Sequence, residues 1–140
     1  MVTSGWNTRT GGRIIDELLV RASQVVPIVT VYAVNAHGGR VGSATKVIGS
    51  NDACWDTARG LAEAAVRQEC DITSLVSELV VDQPRDALTS PALDGVAVLV
   101  LDELGACLGA ISLVGMNSSH GYALVRGILI TRGFCVSDGA

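Results

Sequence analysis

Aromatic side chains, clustered basic residues and unbroken apolar runs are all scarce in this sequence, and each shortage excludes something. Phe, Trp and Tyr make up 4% of the 140 residues, so Val, Leu, Ile and Ala must fill the core, which suits thin layers of helix on sheet. Ten basic residues stand against fourteen acidic ones, a formal net charge of −4. The basic residues are scattered from Arg9 to Arg132, without the stripe that neutralising a polyphosphate requires, so nucleic acid is excluded as a partner. The longest uncharged stretch, Leu104 to Val125, is interrupted by glycines and by Asn117-Ser118-Ser119-His120. Those groups are costly to bury in lipid, which excludes a membrane span. The first residues, Met-Val-Thr-Ser-Gly-Trp-Asn, lack the basic region and apolar run of a signal peptide, and a cytoplasmic protein is expected.

Motifs are missing as well. Cys54, Cys70, Cys107 and Cys135 form no Cys-x-x-Cys pair, which excludes a zinc ribbon. A disulfide framework is not needed where 49% of residues are hydrophobic, and the four read as ordinary small, mostly buried residues. Gly38-Gly39-Arg40-Val41-Gly42 lacks the Gly-Lys-Ser/Thr ending of a phosphate loop and precedes a strand. No Gly-x-Ser-x-Gly elbow or His-Glu-x-x-His motif occurs. No metal site is expected.

What is present is enough for one domain spanning residues 1–140. Gly11 to Val26 has Ile14, Ile15, Leu18, Leu19, Ala22 and Val25 at helical spacing, with Thr10 as the N-cap and Pro27 beyond the end. Ile28 to Asn35 and Arg40 to Ile48 flank the turn Ala36-His37-Gly38-Gly39 and read as a β-hairpin. A second helix opens near Asp52, with Cys54, Ala58, Leu61 and Ala65 on one stripe. Asp71 reads as the cap of a shorter helix carrying Ile72, Leu75, Val76 and Leu79, and Asp82 to Asp94 as a loop. Gly95 to Leu101 and Cys107 to Val114 form a second hairpin, and Ser118 or Ser119 caps a last helix with Leu124, Val125, Ile128 and Leu129 facing inward. The tail from Gly133 either adds an edge strand or frays. Hairpins outnumber crossovers, so the expected fold class is α+β with a mainly antiparallel sheet and helices packed on it.

Two segments carry a family resemblance. Val34-Asn35-Ala36-His37-Gly38-Gly39-Arg40-Val41, followed by the helix Asp56-Thr57-Ala58-Arg59-Gly60-Leu61-Ala62, resembles the first hairpin and second helix of the GlcG/HbpS family. Leu108-Gly109-Ala110-Ile111-Ser112-Leu113-Val114-Gly115, with Arg126 in the helix that follows, resembles that family's Gly-Ala-Ile-Gly-Val-Ser-Gly strand. The family includes haem-binding and PduO C-terminal-like domains. The resemblance implies a profilin-like α/β/α arrangement with a sheet of about five strands, a small-molecule ligand, haem as a candidate cofactor, and assembly into homo-oligomers. The family's polar positions are exchanged here: its turn aspartate is Asn35, its strand arginine falls at Thr45 beside Lys46, its helix lysine falls at Leu61, and the aspartate after its Ser-Gly turn falls at Gly121.

The candidate groups follow. His37, at the hairpin tip, is a solvated turn residue or an iron ligand, for which neutral imidazole is suited. His120, at a helix start, is an exposed first-turn residue or a general acid–base. Asp56 and Arg59 form a surface ion pair or line a pocket at the second helix, with Asp56 the proton-transfer partner of His120. Lys46, Trp55, Asn117 and Tyr122 complete the ligand-binding candidates; Trp55 also reads as core or interface, and Asn117 as a cap. Two functions remain open on these residues. One is a small-molecule-binding protein, with a tetrapyrrole as a candidate ligand. The other is a cofactor-independent cyclase, isomerase or lyase of specialised metabolism using His120 and Asp56. A purely structural role, with the Ala-rich second helix as an oligomer interface, is a third.

Overall fold

The structure, a computed structural model, describes residues 6–25, 29–46, 52–72 and 95–137. Helix α1 spans Thr8–Ser23, so it begins and ends earlier than the Gly11 to Val26 expected from periodicity. The cap is the reason. Asn7, not Thr10, is the N-cap: its Oδ1 accepts from the backbone N–H groups of Arg9 at 2.9 Å and Thr10 at 3.1 Å. Thr10 sits at the third helical position, and its hydroxyl accepts the Asn7 N–H at 3.1 Å, which closes a reciprocal capping box. Ile14, Ile15, Leu18 and Ala22 are buried, while Val25 lies past the helix end and is exposed.

Four strands form one sheet among the described residues: β1 Val29–Asn35, β2 Arg40–Lys46, β3 Gly95–Leu101 and β4 Cys107–Val114, in the order β2-β1-β4-β3. Every pairing is antiparallel. The two hairpins are joined through β1 and β4, with Val31 opposite Leu113 and Tyr32 opposite Ser112. Helix α2 spans Asp52–Gln68 and helix α3 spans Ser118–Thr131. The N-cap of α3 is Asn117 rather than either serine, its side chain accepting from Ser119 N–H at 2.9 Å. The expected helix beyond Asp71 and the loop to Asp94 lie outside the described residues.

Period-two alternation divides the strands between two cores. Val29, Val31, Val96, Val98, Ile111 and Leu113 face α1 and α3, which also pack on each other; Val34, Ala97, Leu99, Ala110 and Val114 face α2. The result is the α/β/α layering expected. On the α2 side alanines of both surfaces allow close approach: Ala58, Ala62 and Ala65 of the helix and Ala97 and Ala110 of the sheet are fully buried. The alanine stripe of this helix is therefore turned to the sheet. The close approach lets the buried Ser112 hydroxyl reach the Ala58 carbonyl at 2.6 Å. That bond ties the middle of β4 to the first half of α2 and satisfies an otherwise buried hydroxyl.

A fifth strand is absent among the described residues, where about five were expected. The outer edge of β3 is instead covered piecemeal. Ala97 exchanges backbone hydrogen bonds with Ile72, Leu101 does so with Cys135, and the Leu99 N–H between them donates to the Asp71 carboxylate at 2.8 Å. An edge strand's free donors are thereby consumed without a continuous partner. The cysteines also differ from expectation. Cys70 is exposed, and Cys107 and Cys135 are half-buried. Burial foremost holds the Cys107 thiol above its ordinary range.

Trp6 fixes the segment before α1. Its indole N–H donates to the Val34 carbonyl at 2.8 Å, in the interior, and its ring meets Phe134 edge-on with centroids 5.5 Å apart. The Val34 oxygen lies where the β1–β2 register shifts, between Ala33 and Val34. Gly109 makes room for this contact: a Cβ there would collide with the Val34 carbonyl oxygen and stand 2.6 Å from the indole. Trp6→Phe, which keeps an aromatic ring but removes the indole N–H and part of the buried bulk, is expected to cost at least about 1–3 kcal/mol. Gly109→Ala is expected to cost more than about 3 kcal/mol through overpacking against backbone. Urea unfolding of both variants checks the order.

Candidate ligand-binding cleft

The β1–β2 turn is built by one side chain. Asn35 Oδ1 accepts the backbone N–H groups of His37 at 2.8 Å and Gly39 at 3.0 Å. Gly38 takes a positive φ of 83°, a conformation that costs glycine nothing. His37 is thereby held at the tip, exposed, and its imidazole has no hydrogen-bond or ion-pair partner among the described residues. Because the Ser112–Ala58 bond anchors the first half of α2 to the sheet, the second half runs back toward this turn. A cleft of about 420 Å³ lies between them, lined by Ala36, His37, Gly38, Glu63, Val66 and Arg67. Glu63 in turn pairs with Arg59 one helical turn earlier, at 3.4 Å. Arg59 thus pairs with Glu63, and no ion pair to Asp56 forms among the described residues. Arg59 is exposed and Glu63 only partly covered, so the pair contributes little to stability.

The other candidates lie elsewhere. Asn117 and His120 stand at the start of α3, after the end of β4, whereas the His37 turn lies at the end where β4 begins. Asn117 spends its side-chain oxygen on Ser119 N–H and, at 3.4 Å, His120 N–H, so these helix-start donors are already occupied. His120 and Asp56 are both exposed, on helices packed against opposite faces of the sheet. No hydrogen bond joins them among the described residues. The side chains of Lys46 and Trp55 lie outside the described residues. No group of three or more His, Cys, Asp or Glu side chains suited to a metal ion occurs among the described residues.

Tyr122 belongs to a different constellation. Its hydroxyl donates to Asp71 Oδ2 at 2.6 Å, and Ser137 Oγ donates to the same oxygen at 2.7 Å. Arg126 lies over the Tyr122 ring, 5.2 Å from its centroid, and donates to the Ser137 carbonyl at 2.8 Å. One carboxylate therefore gathers the end of the α2 segment, β3, α3 and the tail. Tyr122 serves here as a brace. Burial foremost, then the Asp71 carboxylate, push its hydroxyl above the ordinary tyrosine range, against a smaller lowering by Arg126.

Glu63 and Arg67 are the cleft residues that the sequence reading missed. With Arg59 they recur every four residues along the helix, a spacing that marks one polar face but does not say what the face looks toward.

No protein-family model matches this chain, and no curated protein matches it. Solved structures do. A PduOC:heme complex aligns with a TM-score of 0.68 at 15% identity, over 96% of this chain and 99% of that one. A double mutant of Streptomyces reticuli HbpS aligns with 0.65 at 15% identity, over 95% and 90%. Klebsiella pneumoniae protein ORFY aligns with 0.65 at 12% identity, over 94% and 93%. At these identities the likeness is one of fold, and it is the GlcG/HbpS-like fold that the two sequence segments resemble. No helix among the described residues is long and apolar enough to cross a membrane.

The brace generates a prediction with a definite sign. The folded state holds the Tyr122 proton more tightly than the unfolded chain does, so this contribution is complete below a pH of about 10 and fades as pH rises through the folded value. Tyr122→Phe is expected to lose about 1–3 kcal/mol at neutral pH and to show a shallower alkaline decline than the parent. Urea unfolding at stepped pH measures both.

Proposed function

We propose that this chain is a small-molecule-binding protein whose ligand is a tetrapyrrole, with haem the first to test, held at the cleft between the β1–β2 turn and α2. The observation that carries the reading is His37: an unpartnered, exposed imidazole fixed by its turn at the edge of a cleft. An imidazole in that state is chemically suited to ligate iron. Arg67 supplies a cation for a propionate, and Val66 an apolar wall. Likeness of fold to a structure described as a haem complex adds support. Bound haem would supply redox and small-gas chemistry, while the protein residues bind and orient it.

The acid–base reading of His120 and Asp56 needs the two groups at one recess, and their placement on opposite faces of the sheet gives it no support. Assembly into a homo-oligomer belongs to the same functional reading and is measured by light scattering on a sizing column.

Titration with haemin is the test. The parent is expected to shift the Soret band saturably. His37→Ala should weaken binding by at least about tenfold, or about 1.4 kcal/mol, while His120→Ala binds as the parent does. Absence of a Soret shift, or equal affinity in His37→Ala and the parent, overturns the proposal.

A further inference from the structure

A second cleft lies on the other face of the same hairpin, between the first half of α1 and the start of β2, with a volume of about 410 Å³. Its floor is apolar, made by the buried side chains of Ile15 and Val41 and by the glycines beside them. Gly11, beside the cleft, and Gly42, in its lining, are closely packed. A Cβ on Gly11 would stand 2.5 Å from Val41 Cγ1, and one on Gly42 would stand 2.9 Å from Ile15 Cδ1. Gly12 differs: a Cβ there meets nothing within 4 Å. A glycine inside a helix is less favourable than alanine, and no neighbour requires this one. What its missing side chain does is leave the cleft open.

The walls carry opposite charges. Asp16 and Arg40 both line the cleft and both are exposed. Among the described residues they pair neither with each other nor with any third group. Their neighbour Glu17, by contrast, is engaged by Arg21 at 3.1 Å and Arg132 at 2.8 Å. A carboxylate and a guanidinium, both unspent, over an apolar floor match the chemistry of a molecule with an ammonium, a carboxylate and a short hydrocarbon branch.

We propose that this cleft binds a free α-amino acid with an aliphatic side chain. Arg40 takes the carboxylate, for which the guanidinium fork is suited. Asp16 takes the ammonium, the Thr8 hydroxyl offers a further hydrogen bond, and the hydrocarbon branch lies on Ile15 and Val41. The cleft faces away from α2, so this proposal stands or falls independently of haem binding at His37.

Titration of the full chain with L-leucine, followed by amide chemical shifts, tests it. Saturable shifts are expected at Gly12, Val41 and Gly42. N-acetyl-L-leucine lacks the ammonium and isoamylamine lacks the carboxylate, and each should bind at least about tenfold more weakly, as loss of one charge-assisted hydrogen bond entails. Asp16→Asn and Arg40→Gln, both at exposed positions, should each weaken leucine by a similar factor. Gly12→Leu, which fills the cleft without touching either charge, should abolish the shifts while the circular dichroism spectrum stays that of the parent. Absence of saturable shifts at the cleft, or leucine affinity unchanged in both charge variants, overturns the proposal. Equal affinity for leucine and either single-charge analogue also overturns it.

Discussion

The pairing of β1 with β4 is the constraint on which the rest depends. It joins two hairpins far apart in sequence into one sheet, placing Tyr32 opposite Ser112 and Asn35 opposite Gly109. Its two faces then dictate what can cover them. Large aliphatics under α1 and α3 make a deep core, whereas Ala97, Ala110 and Ser112 under α2 make a shallow surface that only a small-faced helix can approach. Close approach is what brings the Ala58 carbonyl within reach of Ser112. The hydroxyl, which also has the Tyr32 carbonyl at 3.3 Å within the sheet, makes its shorter bond to α2 and so helps hold the helix in place. The cleft beside His37 is a consequence of that position.

Three of the four exchanged positions of the GlcG/HbpS-like pattern have structural explanations. Asn35 supplies the oxygen that closes the hairpin turn, a role open to either an amide or a carboxylate. Leu61 is fully buried between α2 and the sheet, where a lysine would carry an unpaired charge. Gly121 lets the first turn of α3 settle on the sheet, since a Cβ there would already stand 3.3 Å from Leu113 Cδ2. These positions serve the scaffold, while the exposed His37 and Arg40 of the β1–β2 hairpin line the two clefts on its opposite faces.

Secondary structure was largely legible because it is written in local signals. Period-two runs of β-branched residues, the Ala36-His37-Gly38-Gly39 turn and the helical stripes of α1, α2 and α3 each declare themselves within a dozen or so residues. The errors came where a local signal had two readers. Thr10 looks like a cap, and it does belong to the capping box, but Asn7 three positions earlier holds the capping place. Asp71 reads as a cap for a helix that lies outside the described residues, but nothing local announces that its carboxylate also accepts from Leu99, Tyr122 and Ser137. Trp6 carried no visible partner, because the oxygen it needs belongs to Val34 at a strand irregularity.

The sequence by itself determined the α+β class, the antiparallel hairpins, the identity of the buried faces and the isolation of His37 at a turn. Each follows from spacing along the chain and the preference of apolar surface to leave water. Which polar groups share a cleft was decided only by tertiary structure. Helix direction and strand order set distances between residues that no sequence interval encodes. That is why Glu63 and Arg67 line one cleft with His37, why Asp16 and Arg40 line another, and why His120 and Asp56 fall on different faces.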